Sequence, residues 1–135
     1  MMNDPTIIAA TLSNFYSGFG IRAWTEESVP ATEDDGRPLE PPYITYSFAC
    51  PTWRGNAMHQ VRIWTRSESN AQVFEYAGKV LGAIGEGVTL EAVGGAGYVT
   101  IDPGEPLCQL QPMDEPEYKV AYINLILGAI VAQKG

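Results

Sequence analysis

The stretch from Tyr118 to Val131 reads YKVAYINLILGAIV, and whether it is helix or strand decides how much of the chain is sheet. Val120, Tyr122, Ile123, Leu125, Ile126 and Leu127 fit a buried helix and a buried strand alike, because a run this apolar has no telling period. Its β-branched and aromatic residues favour the strand. A long strand apolar on both faces needs cover on both. Two sources of cover are open: the helices of the same chain, or a neighbouring subunit. A bilayer takes about 18 to 20 apolar residues to cross; the run from Val120 to Ala132 is shorter and contains Asn124, so no membrane anchor is expected.

Upstream, turn and strand signals alternate. Val88 to Val93 and Tyr98 to Ile101 flank Gly94-Gly95, whose freedom at positive φ suits a hairpin turn. Pro103-Gly104 reads as the next turn, and Leu107 to Gln111 as a further strand stopped by Pro112. Before these lies the clearest helix, where Val73, Tyr76, Ala77, Val80, Leu81 and Ile84 fall at helical spacing, Ser69 and Gln72 can form a capping box, and Gly85 ends the run. Tyr43 to Cys50 and Met58 to Thr65 read as an antiparallel pair. Ile21 to Ser28 reads as a short strand after a first helix, which Asp4 and Pro5 start and which ends near Ser17. The expected order is α-β-β-β-α-β-β-β-β. This is an α+β fold, a mostly antiparallel sheet packed by two helices, in one domain over residues 1–135.

Residues 29–42, VPATEDDGRPLEPP, carry four prolines, four acids and little to bury. A loop of this length inside a domain is either a solvated insertion or a segment that orders against a partner. Glu33, Asp34, Asp35 and Arg37 are its candidate contact residues.

Sixteen acidic against eight basic residues give a formal charge of −8, which repels nucleic acid phosphates and anionic membranes. Cys50 and Cys108 stand in no zinc or disulfide pattern and read as buried free thiols. The beginning MMNDP lacks the features of a signal peptide, so a cytoplasmic site of synthesis is expected. His59, the only histidine, has no nucleophile motif beside it, and neither a Walker A loop nor a dinucleotide fingerprint is present. The acids at 33–35 and at 114–117 match no EF-hand spacing. No catalytic, cofactor or metal residues are assigned. What remains is a set of aromatics, Trp24, Tyr43, Trp53, Trp64 and Tyr118, that can anchor an interface or pack within one subunit. Arg66 and, on the last strand, Tyr122, Leu125 and Leu127 complete the candidate interface.

Four strings carry a resemblance: Val29-Pro30, then Pro42-Tyr43-Ile44-Thr45-Tyr46, then Ile63-Trp64-Thr65-Arg66-Ser67, then Tyr122-Ile123-Asn124-Leu125. Together with chain length and element order, they resemble the tail-terminator family of phages with long non-contractile tails, also described as tail-completion or minor tail proteins. The resemblance implies a structural virion protein at the tail–neck junction, without enzymatic activity, that caps the tail tube as a hexameric ring and ends tube polymerisation. The implied partners are further copies of itself, the tail tube protein and a head-completion protein, with DNA passing through an acidic lumen without specific binding. An alternative of another class is a small acidic immunity-type protein that neutralises a basic partner. A third, an enzyme on an α+β sheet, would need a coherent polar constellation.

Overall fold

The computed structural model describes residues 2–132. Two helices lie on one face of a six-stranded sheet: α1 (Pro5–Tyr16), β1 (Arg22–Thr25), β2 (Tyr43–Tyr46), β3 (Asn56–Arg66), α2 (Ala71–Ile84), β4 (Val88–Glu91), β5 (Gly97–Gln111) and β6 (Tyr118–Val131). The strands lie in the order β1-β2-β3-β6-β5-β4, and every pair is antiparallel except β1 with β2. The protein is therefore α+β, and the ambiguous stretch is strand β6, held between β3 and β5.

The Asp4 side chain caps α1 by accepting from the Thr6 N–H at 2.9 Å, with Pro5 where a helix does not need its N–H. The Ser69–Gln72 capping box does not form. Asn70 occupies the cap position without a side-chain bond, and Ser69 Oγ instead accepts from the Ala71 N–H at 3.3 Å. Gly85, at φ 57°, closes α2 through its N–H to the Leu81 carbonyl at 2.8 Å. Ile8, Leu12 and Tyr16 of α1 and Val73, Ala77, Val80 and Ile84 of α2 meet one side of the sheet in a single core.

Two of the expected strands are one. Residues 98–101 and 107–111 belong to the continuous β5, and Pro103-Gly104 sits in a register shift against β6 rather than in a turn. Proline and glycine serve both purposes: proline needs no ladder partner, and a bulge brings backbones close. A Cβ on Gly104 would lie 2.9 Å from the Asn124 carbonyl oxygen.

The parallel β1–β2 pair explains the length of the 29–42 segment. Parallel neighbours cannot be joined by a tight turn, so the chain must travel back along the strands before β2 begins, a crossover of about a dozen residues or more. The segment is this return path.

The β2–β3 connection is longer than a hairpin turn, runs over residues 47–55, and packs against the beginning of the chain. Buried Asn3 donates to the Pro51 and Ala129 carbonyls at 2.7 and 2.9 Å and accepts from the Val131 N–H at 2.9 Å. Trp53, one of the candidate interface aromatics, is half-buried in this connection. Its indole N–H is buried and without a partner among the described residues. Cys108 is half-buried, whereas Cys50 is exposed rather than buried. Among the described residues, no helix is long and apolar enough to cross a membrane.

Candidate assembly interface

Side chains alternate between the faces of a strand, and register aligns this alternation across the sheet. On β3 and β6 the odd-numbered residues His59, Val61, Ile63, Ile123, Leu125 and Leu127 point under the helices. Leu125 (3% exposed) and Leu127 (0%) are thus core residues of this chain, not interface residues as expected. The even-numbered residues face the other way, where no helix lies. Met58 stands opposite Ile126, Arg62 opposite Tyr122, Trp64 opposite Val120 and Arg66 opposite Tyr118. On this second face of β6, Ile126 and Ile130 are left exposed by the chain itself, whereas Val120 is 1% exposed and Tyr122 half-buried.

One end of this face is a row of aromatics and arginines. β1 and β2 bring Trp24 and Tyr43 beside Trp64, with ring centroids 5.7 Å apart for Trp24–Tyr43 and 5.9 Å for the stacked Tyr43–Trp64 pair. Arg22 lies 5.3 Å from the Trp24 centroid, Arg62 4.5 Å from that of Tyr122 and Arg66 5.7 Å from that of Tyr118. Arg62 also donates through Nε to Gln111 at 2.9 Å and pairs with Glu26, while the Trp64 indole N–H donates to Thr45 Oγ1 at 2.9 Å. Guanidinium stacked on an aromatic face is held by the ring quadrupole, and its edges still hydrogen-bond, as those of Arg62 do. Partial burial and the nearby Tyr118 push the Tyr43 hydroxyl up, outweighing Arg22, so it stays a neutral phenol. An open hollow of about 460 Å³ is lined by Glu26, Val29, Tyr43, Thr45, Arg62, Trp64 and Gln111.

The other end is apolar. Met58 is 73% exposed, Tyr98 59%, Ile130 48% and Ile126 38%. Tyr98 lies opposite Ile130 across the β5–β6 ladder. These are neighbours rather than scattered residues, the arrangement that marks an interaction surface. Tyr98, Met58, Ile126 and Ile130 were not among the interface candidates read from the sequence; the signal was the period-two alternation, which says which residues share a face only once β3 and β6 are in register.

Six of the candidates, Trp24, Tyr43, Trp64, Arg66, Tyr118 and Tyr122, come together on this face. Trp53 and the two leucines do not. In the 29–42 segment, Glu33 pairs with Arg22 at 2.6 Å, Asp35 pairs with Arg37 at 2.6 Å, and Asp34 is exposed.

His59 lies on the opposite side of β3, fully buried between Tyr16 and Tyr46. Burial lowers its pKa to about 4, with a smaller opposing influence from the Ser47 backbone, which does not meet Nδ1 in hydrogen-bonding geometry. Its hydrogen-bonding neighbour is the Tyr16 hydroxyl, at 2.7 Å from Nε2 and itself fully buried. Among the described residues, no three His, Cys, Asp or Glu side chains gather as a metal site.

Fold and surface define a class: a two-layer α+β domain with helices on one side and an arginine-aromatic, partly apolar sheet face open on the other. The chain matches no family model, and no curated protein matches it in sequence.

Proposed function

We propose that the protein is a structural assembly protein whose uncovered sheet face binds further copies of itself. In the manner of the tail terminators it resembles, it caps a phage tail tube as a ring, ends tube growth and meets a head-completion protein. The observation that carries this reading is the uncovered face of β6, where Tyr122, Ile126 and Ile130 continue a surface with Trp24, Tyr43, Trp64 and Met58. Burying such aromatic and aliphatic side chains contributes about 25 cal/mol per Å² of apolar area. A head-to-tail contact, in which this face meets a different surface of the next copy, closes into a ring when the rotation between copies divides a full turn. A net charge of −8 suits a passage that DNA crosses without adhering.

The test is light scattering of the purified chain over a range of concentrations, alone and with tail tube protein. A closed oligomer, or shortened and capped tubes, is expected. A chain that stays monomeric, ignores tube protein and instead forms a one-to-one complex with a basic protein would replace this reading with the immunity-type one.

A further inference from the structure

The 29–42 segment is held to the sheet by charge. Glu33 accepts from Arg22 Nη1 with both carboxylate oxygens at 2.6 and 2.7 Å, Arg22 Nη2 donates to the Glu40 carbonyl at 2.9 Å, and the Glu40 carboxylate stands 3.4 Å from Arg66. No residue of the segment is buried. Its tip is a unit in itself. Thr32 bridges to Pro38, the Glu33 N–H donates to the Arg37 carbonyl at 2.7 Å, and the Gly36 N–H donates to the Glu33 carbonyl at 3.0 Å. A preformed acidic turn therefore sits on the arginines that belong to the uncovered face.

We infer that this tip is an exchangeable arm, and that in the assembled protein the tip of one copy occupies Arg22 of the next. The inference rests on the self-assembly reading above. Charge argues for this occupant: the chain is strongly acidic overall, yet Arg22, Arg62 and Arg66 lie on one face, and a carboxylate already fits the first of them. Energy does not oppose exchange: the Arg66–Glu40 pair after the tip, with both side chains 50% exposed, holds the segment weakly, and the bidentate Arg22–Glu33 pair, with Glu33 14% exposed, can be re-formed in a neighbour. Moving the tip to a neighbour remakes the same bonds, which is why swapped elements are an inexpensive route to assembly. Reach limits it to an adjoining copy, since the residues of the segment before the tip (29–31) and after it (39–42) span roughly 10 to 14 Å when extended.

Charge reversal separates exchange from a bond within one chain. Arg22→Glu and Glu33→Arg should each weaken self-association at least tenfold. An equal mixture of the two variants should associate again, because each presents the tip that the other's site requires, and the doubly reversed chain should associate alone. A mixture that stays apart while the double variant assembles overturns the inference, as do single variants that assemble like the unaltered chain; either result leaves self-assembly standing. An unaltered chain that never associates removes both.

A second measurement does not depend on the reversed variants folding. In a Cys50→Ser background, Arg22→Cys and Glu33→Cys chains mixed under mild oxidation should crosslink between copies at these two positions. Failure to crosslink in an assembled mixture overturns the inference.

Discussion

The Tyr16 hydroxyl lies 2.7 Å from Nε2 of His59, and both residues are 0% exposed. The bond ties α1 to β3 at the centre of the core, where Tyr16 also stacks on Tyr46 at 4.6 Å. Burial holds the Tyr16 phenol far above its ordinary range and His59 below its own, at about 4, so the pair is neutral in the folded protein. Unfolding frees the imidazole to titrate near 6.5. Between these values the unfolded chain binds the extra proton, so stability falls as pH drops from about 6.5 towards 4 and this residue adds no further loss below that. The expected loss is on the order of 3 kcal/mol. Urea midpoints measured across this window check it, and His59→Gln should flatten the slope.

Tyr16→Phe keeps the ring but removes the hydroxyl, leaving His59 Nε2 buried without its partner. A buried polar atom left unsatisfied costs about 1 to 3 kcal/mol. Equilibrium unfolding at neutral pH should give a loss in that range. A loss near zero would mean that the hydrogen bond contributes nothing net.

Much of this core was legible in the sequence, and the physical reasons for the rest are specific. The stripe of Val73, Ala77, Val80 and Ile84 has a period that only a helix explains, so α2 could be placed before its partners were known. β6 was legible as a strand apolar on both faces, but not which face the helices cover: Leu125 and Ile126 are equally apolar, and their chemistry does not say which of them meets a helix. Only the pairing of His59 with Leu125 and Met58 with Ile126 settles it. Pro103-Gly104 misled because a turn and a bulge ask the same of these residues. The aromatic row was legible in composition, since Trp24, Tyr43 and Trp64 stood out, but its arginines were scattered in sequence and meet only through the strand order.

Parity along β6 separates folding from assembly. Leu127→Ala empties a fully buried site and should cost about 2 to 5 kcal/mol of stability. Ile126→Asn, one residue away on the uncovered face and 38% exposed, should change stability far less and yet weaken self-association. Thermal melts and light scattering on the two variants should therefore give opposite patterns. Equal destabilisation by both would mean that the Ile126 side chain belongs to the fold rather than to an interface.

The start of β5 provides a test of how firmly the apolar end of that face is positioned. Gly97 has φ 145°, and a Cβ there would fall 2.0 Å from the Ile130 carbonyl oxygen, a backbone atom that cannot rotate away. Gly97→Ala must therefore part β5 from β6 at the point where Tyr98 faces Ile130, with a loss expected to exceed about 2 kcal/mol through combined strain and lost pairing. Gly95, at φ 69° with open space around its Cβ position, is the control. Asparagine tolerates the left-handed region better than most residues, so Gly95→Asn should cost well under half as much. Urea unfolding of both variants checks the contrast. Equal losses would show that the Gly94-Gly95 turn, rather than the close backbone approach at Gly97, fixes the register of this edge.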